Sequence, residues 1–275
     1  MSHFVVGVIL PEGEGISEVM APFCEEKQVP LYIDMTREEL VTEWRTCLEE
    51  AKDPEKYLGK LQLGTTKKDF LTGVEKSVEP VDILGMDVKT FAKWYHGDDK
   101  FFDTEGNMLT SYNPQSKWDW YEIGGRWRGM LLVKEECSGY SSTQKDTPEG
   151  YKWVDSARIK DIAFDVMVEL AEKRAKETWD AAMVAGVLQG SGEAYFRFGI
   201  RKGDTEESYV ARMIVFSPYA ILTPDGEWHE AGSMGGFGCS NATKDEEGVW
   251  IKDCKPKLID TADPELMLMM VDCHI

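Results

Sequence analysis

The sequence predicts an α+β fold: a mixed, largely antiparallel sheet with a central C-terminal strand, packed by amphipathic helices. Three observations carry that reading. Strand-like segments come in clusters separated by long helical stretches, not in the one-for-one alternation of βαβ units. The longest uninterrupted apolar run, 266–271, leads into Asp272-Cys273-His274-Ile275 and suits a strand buried on both faces. Two segments, 37–51 and 164–185, repeat apolar residues every three or four positions, as helices with one buried face do.

Taken in order, 3–10 is a short apolar strand closed by Pro11-Glu12-Gly13-Glu14. Residues 16–26 suit a helix interrupted by Pro22, and 31–33 a second short strand. Thr36 and Glu39 form a capping box ahead of Leu40, Trp44, Cys47, Leu48 and Ala51, which share one helical face. Helices are expected at 67–76 and 87–96, the latter stopped by Gly97. A hairpin follows at 101–112, then strands at 118–127 and 130–133 with a bend at Gly124-Gly125. Residues 138–150 are rich in Ser, Thr, Asp, Pro and Gly and predict an exposed loop. After the helix at 164–185, the alternation in 195–201, 209–216 and 219–222 predicts three strands, the last turning at Pro224-Asp225-Gly226. No internal repeat divides the chain. It is expected to be a single domain over 1–275, with a helix-rich part at about 1–97.

Composition narrows the function. The 275 residues are 42% apolar and include nine Trp, ten Tyr and eleven Phe, which excludes global disorder. The net charge of −19 opposes binding to duplex DNA or to an anionic membrane surface. Six cysteines without a C-x-x-C pair read as reduced thiols, and no apolar run reaches membrane-spanning length. With no secretion signal recognisable at the start, a soluble cytoplasmic protein is expected.

Three stretches could carry chemistry. The segment 116–129 holds four aromatics (Trp118, Trp120, Tyr121, Trp127), two arginines (Arg126, Arg128) and three glycines. On a strand, Trp118, Trp120 and Glu122 share one face, Asp119, Tyr121 and Ile123 the other. Arginine beside tryptophan suits a planar anion or base, and Gly124-Gly125 lets a backbone come close to a ligand. The same residues also suit a packed core with surface ion pairs. The second stretch joins His229 to a loop, 232–238, with four glycines including Gly235 and Gly236, whose N–H groups can face an anion. The third is Asp272-Cys273-His274: alternation puts the carboxylate and imidazole on one face and the thiol on the other. His229, Asp272 and His274 would make a two-histidine, one-carboxylate set for a divalent metal. His3 and His96 are read as structural, and no G-x-S-x-G elbow or framed cysteine offers a nucleophile.

The stretches Lys117-Trp118-Asp119-Trp120-Tyr121 with Gly124-Gly125-Arg126-Trp127, Asp225-Gly226-Glu227-Trp228-His229 and Val271-Asp272-Cys273-His274-Ile275 resemble an uncharacterised family found in tailed-phage genomes and in bacteria. The start of the chain and Ala157-Arg158-Ile159-Lys160-Asp161-Ile162 share the resemblance, and Gly236 departs from it where the family tends to carry an aromatic. The resemblance implies a phage setting, with the host cytoplasm as location. It implies no mechanism.

The expected function is an intracellular binding protein for a nucleotide-like or phosphate-bearing small ligand, in a phage setting one that sequesters a host defence signal. Its ligand-binding residues are Trp118, Trp120, Tyr121, Arg126, Trp127, Arg128, His229, Gly235 and Gly236. No cofactor is assigned to it, and a divalent metal is possible. Two alternatives stand beside it: a divalent-metal hydrolase using His229, Asp272 and His274 with Glu227 or Glu230 as base, and an acidic protein that binds and inhibits a host defence protein.

Overall fold

The computed structural model describes residues 2–51, 66–68, 75–77, 85–97, 100–138, 141–142, 147–187, 191–234 and 240–275. The chain divides into two compact units, Met1–Lys27 with Pro114–Ile275, and Gln28–Asn113. The helix-rich part expected at about 1–97 falls across both units. The reason is topological: the first and last strands pair with each other, so 28–113 is an excursion that closes on its own small core of Leu40, Ala92 and Met108.

The first unit opens with β1 (His3–Leu10), α1 (Ile16–Met20) and a 3-10 turn at Ala21–Phe23. The second unit holds β2 (Tyr32–Met35), α2 (Arg37–Ala51), β3 (Thr66–Lys68), β4 (Glu75–Ser77), α3 (Val88–His96), β5 (Phe101–Phe102) and β6 (Met108–Thr110). The first unit resumes with β7 (Trp120–Ile123), β8 (Leu131–Lys134), β9 (Ser141–Ser142), β10 (Tyr151–Val154) and β11 (Ser156–Arg158). Then come α4 (Phe164–Val184), α5 (Gly192–Phe198) and α6 (Glu206–Met213). The chain closes with β12 (Ala220–Leu222), β13 (Trp228–Glu230), α7 (Lys244–Cys254) and β14 (Met267–His274).

In the second unit the capping box forms: the Glu39 N–H donates to Thr36 Oγ1 at 3.3 Å, and the Thr36 N–H to Glu39 Oε2 at 2.8 Å. Asp87 caps α3, accepting from the Lys89 and Thr90 N–H groups. The helix expected at 67–76 is not formed at its ends, where β3 and β4 pair antiparallel. Residues 69–74 of that stretch lie outside the described residues, and Thr66 favours a strand.

The first unit is built on a mixed, mostly antiparallel sheet in the order β11-β14-β1-β12-β13, with β7 also pairing β14. The C-terminal strand is central, as expected. It runs antiparallel to β1 from Leu10↔Met267 to His3↔His274, and its other edge is shared by β11 and β7. Alternation then sorts two cores. Ile9, Ile221, Leu268 and Met270 pack on one face, and Phe4, Val6, Val8, Leu222, Val271 and Cys273 on the other.

Three further expectations are corrected. Segments 195–201 and 209–216, read as strands, are largely the helices α5 and α6. Ser191 caps α5 and Gly199 ends it at φ +69°, while Thr205 and Ser208 form a capping box on α6. Their apolar residues, Ala194, Tyr209 and Val210, bury against Ala175, Trp179 and Ala182 of α4. The strand expected at 118–127 contracts to β7, because Gly124 and Gly125 at φ +73° and +48° turn the chain into a 3-10 turn. The loop expected at 138–150 contains β9, paired with β10, and residues 139–140 and 143–146 lie outside the described residues.

Candidate functional site

Toward its end β14 changes character on one face. Leu268 and Met270 belong to a core, whereas Asp272 and His274, next in the same alternation, are polar. The neighbouring strands complete a polar patch there. His3 of β1 stands opposite His274, and on the other side Trp120 and Glu122 of β7 stand opposite His274 and Asp272.

Asp272 is only 2% exposed, and a buried carboxylate needs partners. It has two: the His3 Nδ1–H donates to Oδ1 at 2.8 Å, and the Arg126 backbone N–H to Oδ2 at 2.9 Å. His274 repeats the pattern, its Nδ1–H donating to Asp119 Oδ1 at 2.6 Å. A carboxylate on Nδ1 fixes that nitrogen as donor and leaves Nε2 as the functional one. The two imidazoles meet edge to face with centroids 5.0 Å apart, and Trp120 stands edge-on to His3 at 6.4 Å. His274 Nε2 is buried and has no hydrogen-bond partner among the described residues.

The Gly124–Gly129 turn is moulded on two carboxylates. A Cβ on Gly124 would come within 2.6 Å of the Asp155 carboxylate, and one on Gly125 would overlap the Asp272 side chain. The Gly129 N–H donates to Asp155 Oδ1 at 2.6 Å. The close approach expected from the glycine pair is therefore made to Asp155 and Asp272 of the chain itself.

Only part of the expected ligand-binding set comes together. Trp120 is half exposed beside the imidazoles, and Arg126 presents its backbone to Asp272 while its side chain is exposed. Among the described residues the Arg126 guanidinium makes no ion pair or hydrogen bond. Arg128, also exposed, pairs with Glu122 at 3.0 Å, and Trp127 is half-buried. Trp118 does not share a face with Trp120. It precedes β7 and is buried in the opposite core, edge-on to Tyr121 at 5.0 Å. Tyr121 points to that side too, its hydroxyl bonded to Ser17 Oγ at 2.9 Å. The reason is that alternation begins only at Trp120, the preceding Asp119 N–H being held by the His274 carbonyl.

His229 lies on β13, bonded to Thr223 Oγ1 at 3.2 Å and 3.6 Å from Glu227. It is level with Gly7, two strand spacings and four residues from His3, or about 10 Å across and about 13 Å along the sheet. The set His229, Asp272 and His274 is thus not assembled, and no group of three or more metal-ligating side chains occurs among the described residues. Gly235 and Gly236 lie outside the described residues; at the base of their loop the Tyr219 hydroxyl donates to the Gly232 carbonyl. Burial, with Glu230 nearby, pushes the Tyr219 hydroxyl up to about 12. Cys273 faces the opposite core, where burial pushes its thiol upward and removes it as a nucleophile.

Two residues of the site were not anticipated, His3 and Asp119. The signal for His3 lay in the register: an end-to-end antiparallel pairing of β1 with β14 puts it opposite His274. Asp119 had none, because its role depends on where the chain enters β7.

No helix of the described residues is long and apolar enough to cross a membrane. No family model matches the chain, and neither a curated protein nor a solved structure matches it.

Proposed function

We propose that the chain binds a small nucleotide-like or phosphate-bearing ligand at the face formed by His3, His274, Trp120 and Arg126. The observation that carries this reading is the exposed Arg126 guanidinium, without an ion pair among the described residues in a chain of 50 acidic and 31 basic residues. An arginine kept from so many carboxylates is available to a phosphate oxygen pair. Half-exposed Trp120 supplies a ring for a base to stack on, and the Asp272–His3 and Asp119–His274 pairs hold the floor beneath it rigid. The resemblance to phage-borne proteins favours sequestration of a host nucleotide signal as the purpose.

The test is calorimetric titration with nucleoside mono- and diphosphates and cyclic dinucleotides. At least one is expected to bind, and Arg126→Ala and Trp120→Ala are each expected to weaken it by roughly tenfold or more, while Lys160→Ala changes nothing. Absence of binding across that panel rejects the reading. A second reading, acid–base turnover, is favoured by the two carboxylate-held imidazoles in contact. Chromatography of the same mixtures checks it: products that form with the native chain and not with His3→Gln would make the site catalytic.

A further inference from the structure

We propose that the first unit carries a second ligand site, a cavity beside α4 that takes a single-chain aliphatic carboxylate. The cavity measures about 370 Å³. Its walls are the apolar stripe of α4 (Phe164, Val168, Ala171), the last residue of α6 with the segment after it (Met213 to Phe216), and the end of α7. None of these residues belongs to the face that holds His3 and Trp120.

Four observations identify the occupant. First, apolar surface is left open around it: Val168, Met213 and Val215 are 38%, 44% and 37% exposed. Burying that surface is favourable for any apolar group that fits. Second, the space is small. Small-molecule sites begin at about 300 Å³, so it is of the size that holds one such ligand. Third, the aromatic rings are already engaged. Phe164 and Phe216 meet edge to face at 5.4 Å, and Lys255 Nζ sits 4.4 Å from the Phe164 centroid. The remaining apolar wall is Met, Val, Ile, Ala and Pro256, which suits a flexible chain better than a planar ring.

The fourth observation is charge. Lys252 is exposed at the rim and, among the described residues, has no ion pair, whereas Lys255 is tied to Asp260 at 2.6 Å. One ammonium beside an apolar cavity matches one carboxylate on an apolar chain. Asp165 also lines the cavity and opposes an anion, so its removal strengthens the site.

The experiment is calorimetric titration of the full chain with octanoate, decanoate and decyltrimethylammonium. Each added methylene that enters the cavity is worth about fourfold in affinity, so decanoate is expected to bind about fifteenfold tighter than octanoate. Decyltrimethylammonium is expected not to bind. Lys252→Glu should abolish decanoate binding and Asp165→Asn should tighten it. Val168→Trp, at a partly exposed position, should fill the cavity and block it, with thermal unfolding confirming that the variant is folded and Val168→Phe replacing it otherwise. Three results overturn the proposal: no heat with decanoate, equal binding of the cationic chain, or decanoate binding that survives both Lys252→Glu and the cavity-filling variant.

Discussion

Gly125 is where the least tolerance is found at the scale of single residues. It holds φ +48°, and an added Cβ would overlap the side chain of Asp272. A left-handed backbone alone costs an alanine roughly 1–2 kcal/mol, and the overlap must push a carboxylate that is 2% exposed away from the Arg126 N–H. Gly125→Ala is therefore expected to lower stability by about 2 kcal/mol or more in urea unfolding. Gly226→Ala has no atom in its way and should lose only the backbone part. The comparison also shows what can be read from residue types. Asp272, His274, Trp120 and Arg126 stood out because strand alternation and composition suffice to single them out. His3 and Asp119 did not, because each acquires its role from a partner 269 or 155 positions away. The glycine pair was conspicuous for a reason other than the one its type suggests: it makes room for carboxylates, not for a ligand.

Elements succeed or fail as readings according to their ends. α2, α3 and α4 combine a periodic apolar face with enough length for the period to be distinguished from alternation. α5 and α6, of seven and eight residues, are too short for that, and in each the cap decides. Ser191, Gly199 and Thr205 were the legible signals, and they outweigh an apparent alternation of apolar residues. The same logic bears on α7, which sequence patterning did not anticipate. It starts at a capping box in which the Thr243 hydroxyl accepts the Glu246 N–H at 3.3 Å and the Glu246 carboxylate accepts the Thr243 N–H at 2.7 Å. Most of α7 is solvent-facing, so little packing compensates for a lost cap. Thr243→Ala is expected to cost about 1 kcal/mol. Hydrogen exchange should show the first turn of α7 fraying while β14 keeps its protection.

At the scale of the whole molecule the fold class and the central terminal strand were legible, and the division into two units was not. A long apolar run announces a buried strand wherever it falls. Which strand it pairs with is written in no local pattern, and that pairing is what sends 28–113 out as a separate unit. The dependence of stability on pH is also a property of the whole. Helix-capping carboxylates Glu39, Asp87 and Glu246 are held below their ordinary values of 4.5, 3.8 and 4.5 by hydrogen bonds from Thr36, Thr90 and Thr243. A depressed carboxylate stabilises the fold above its unfolded value, and the contribution is lost as pH falls through the folded one. Tyr219 behaves oppositely. Raised from 10 to about 12, it favours the fold below pH 10 and loses that contribution as pH rises to 12. Urea midpoints are thus expected to decline below about pH 4 and again above pH 10. Tyr219→Phe should lessen the alkaline decline and leave the acid one unchanged, the rest of the alkaline decline coming from Tyr209 and Cys273, which burial also raises.

The pairing of β1 with β14 has a consequence for synthesis. A ribosome adding about 5–20 residues per second needs on the order of tens of seconds to travel the 269 positions from His3 to Asp272. Throughout that time β1 emerges as a sticky apolar segment whose main partner has not been made. Holdase chaperones on the nascent chain are therefore expected to raise yield, and slowed translation to lengthen the exposure and lower the yield.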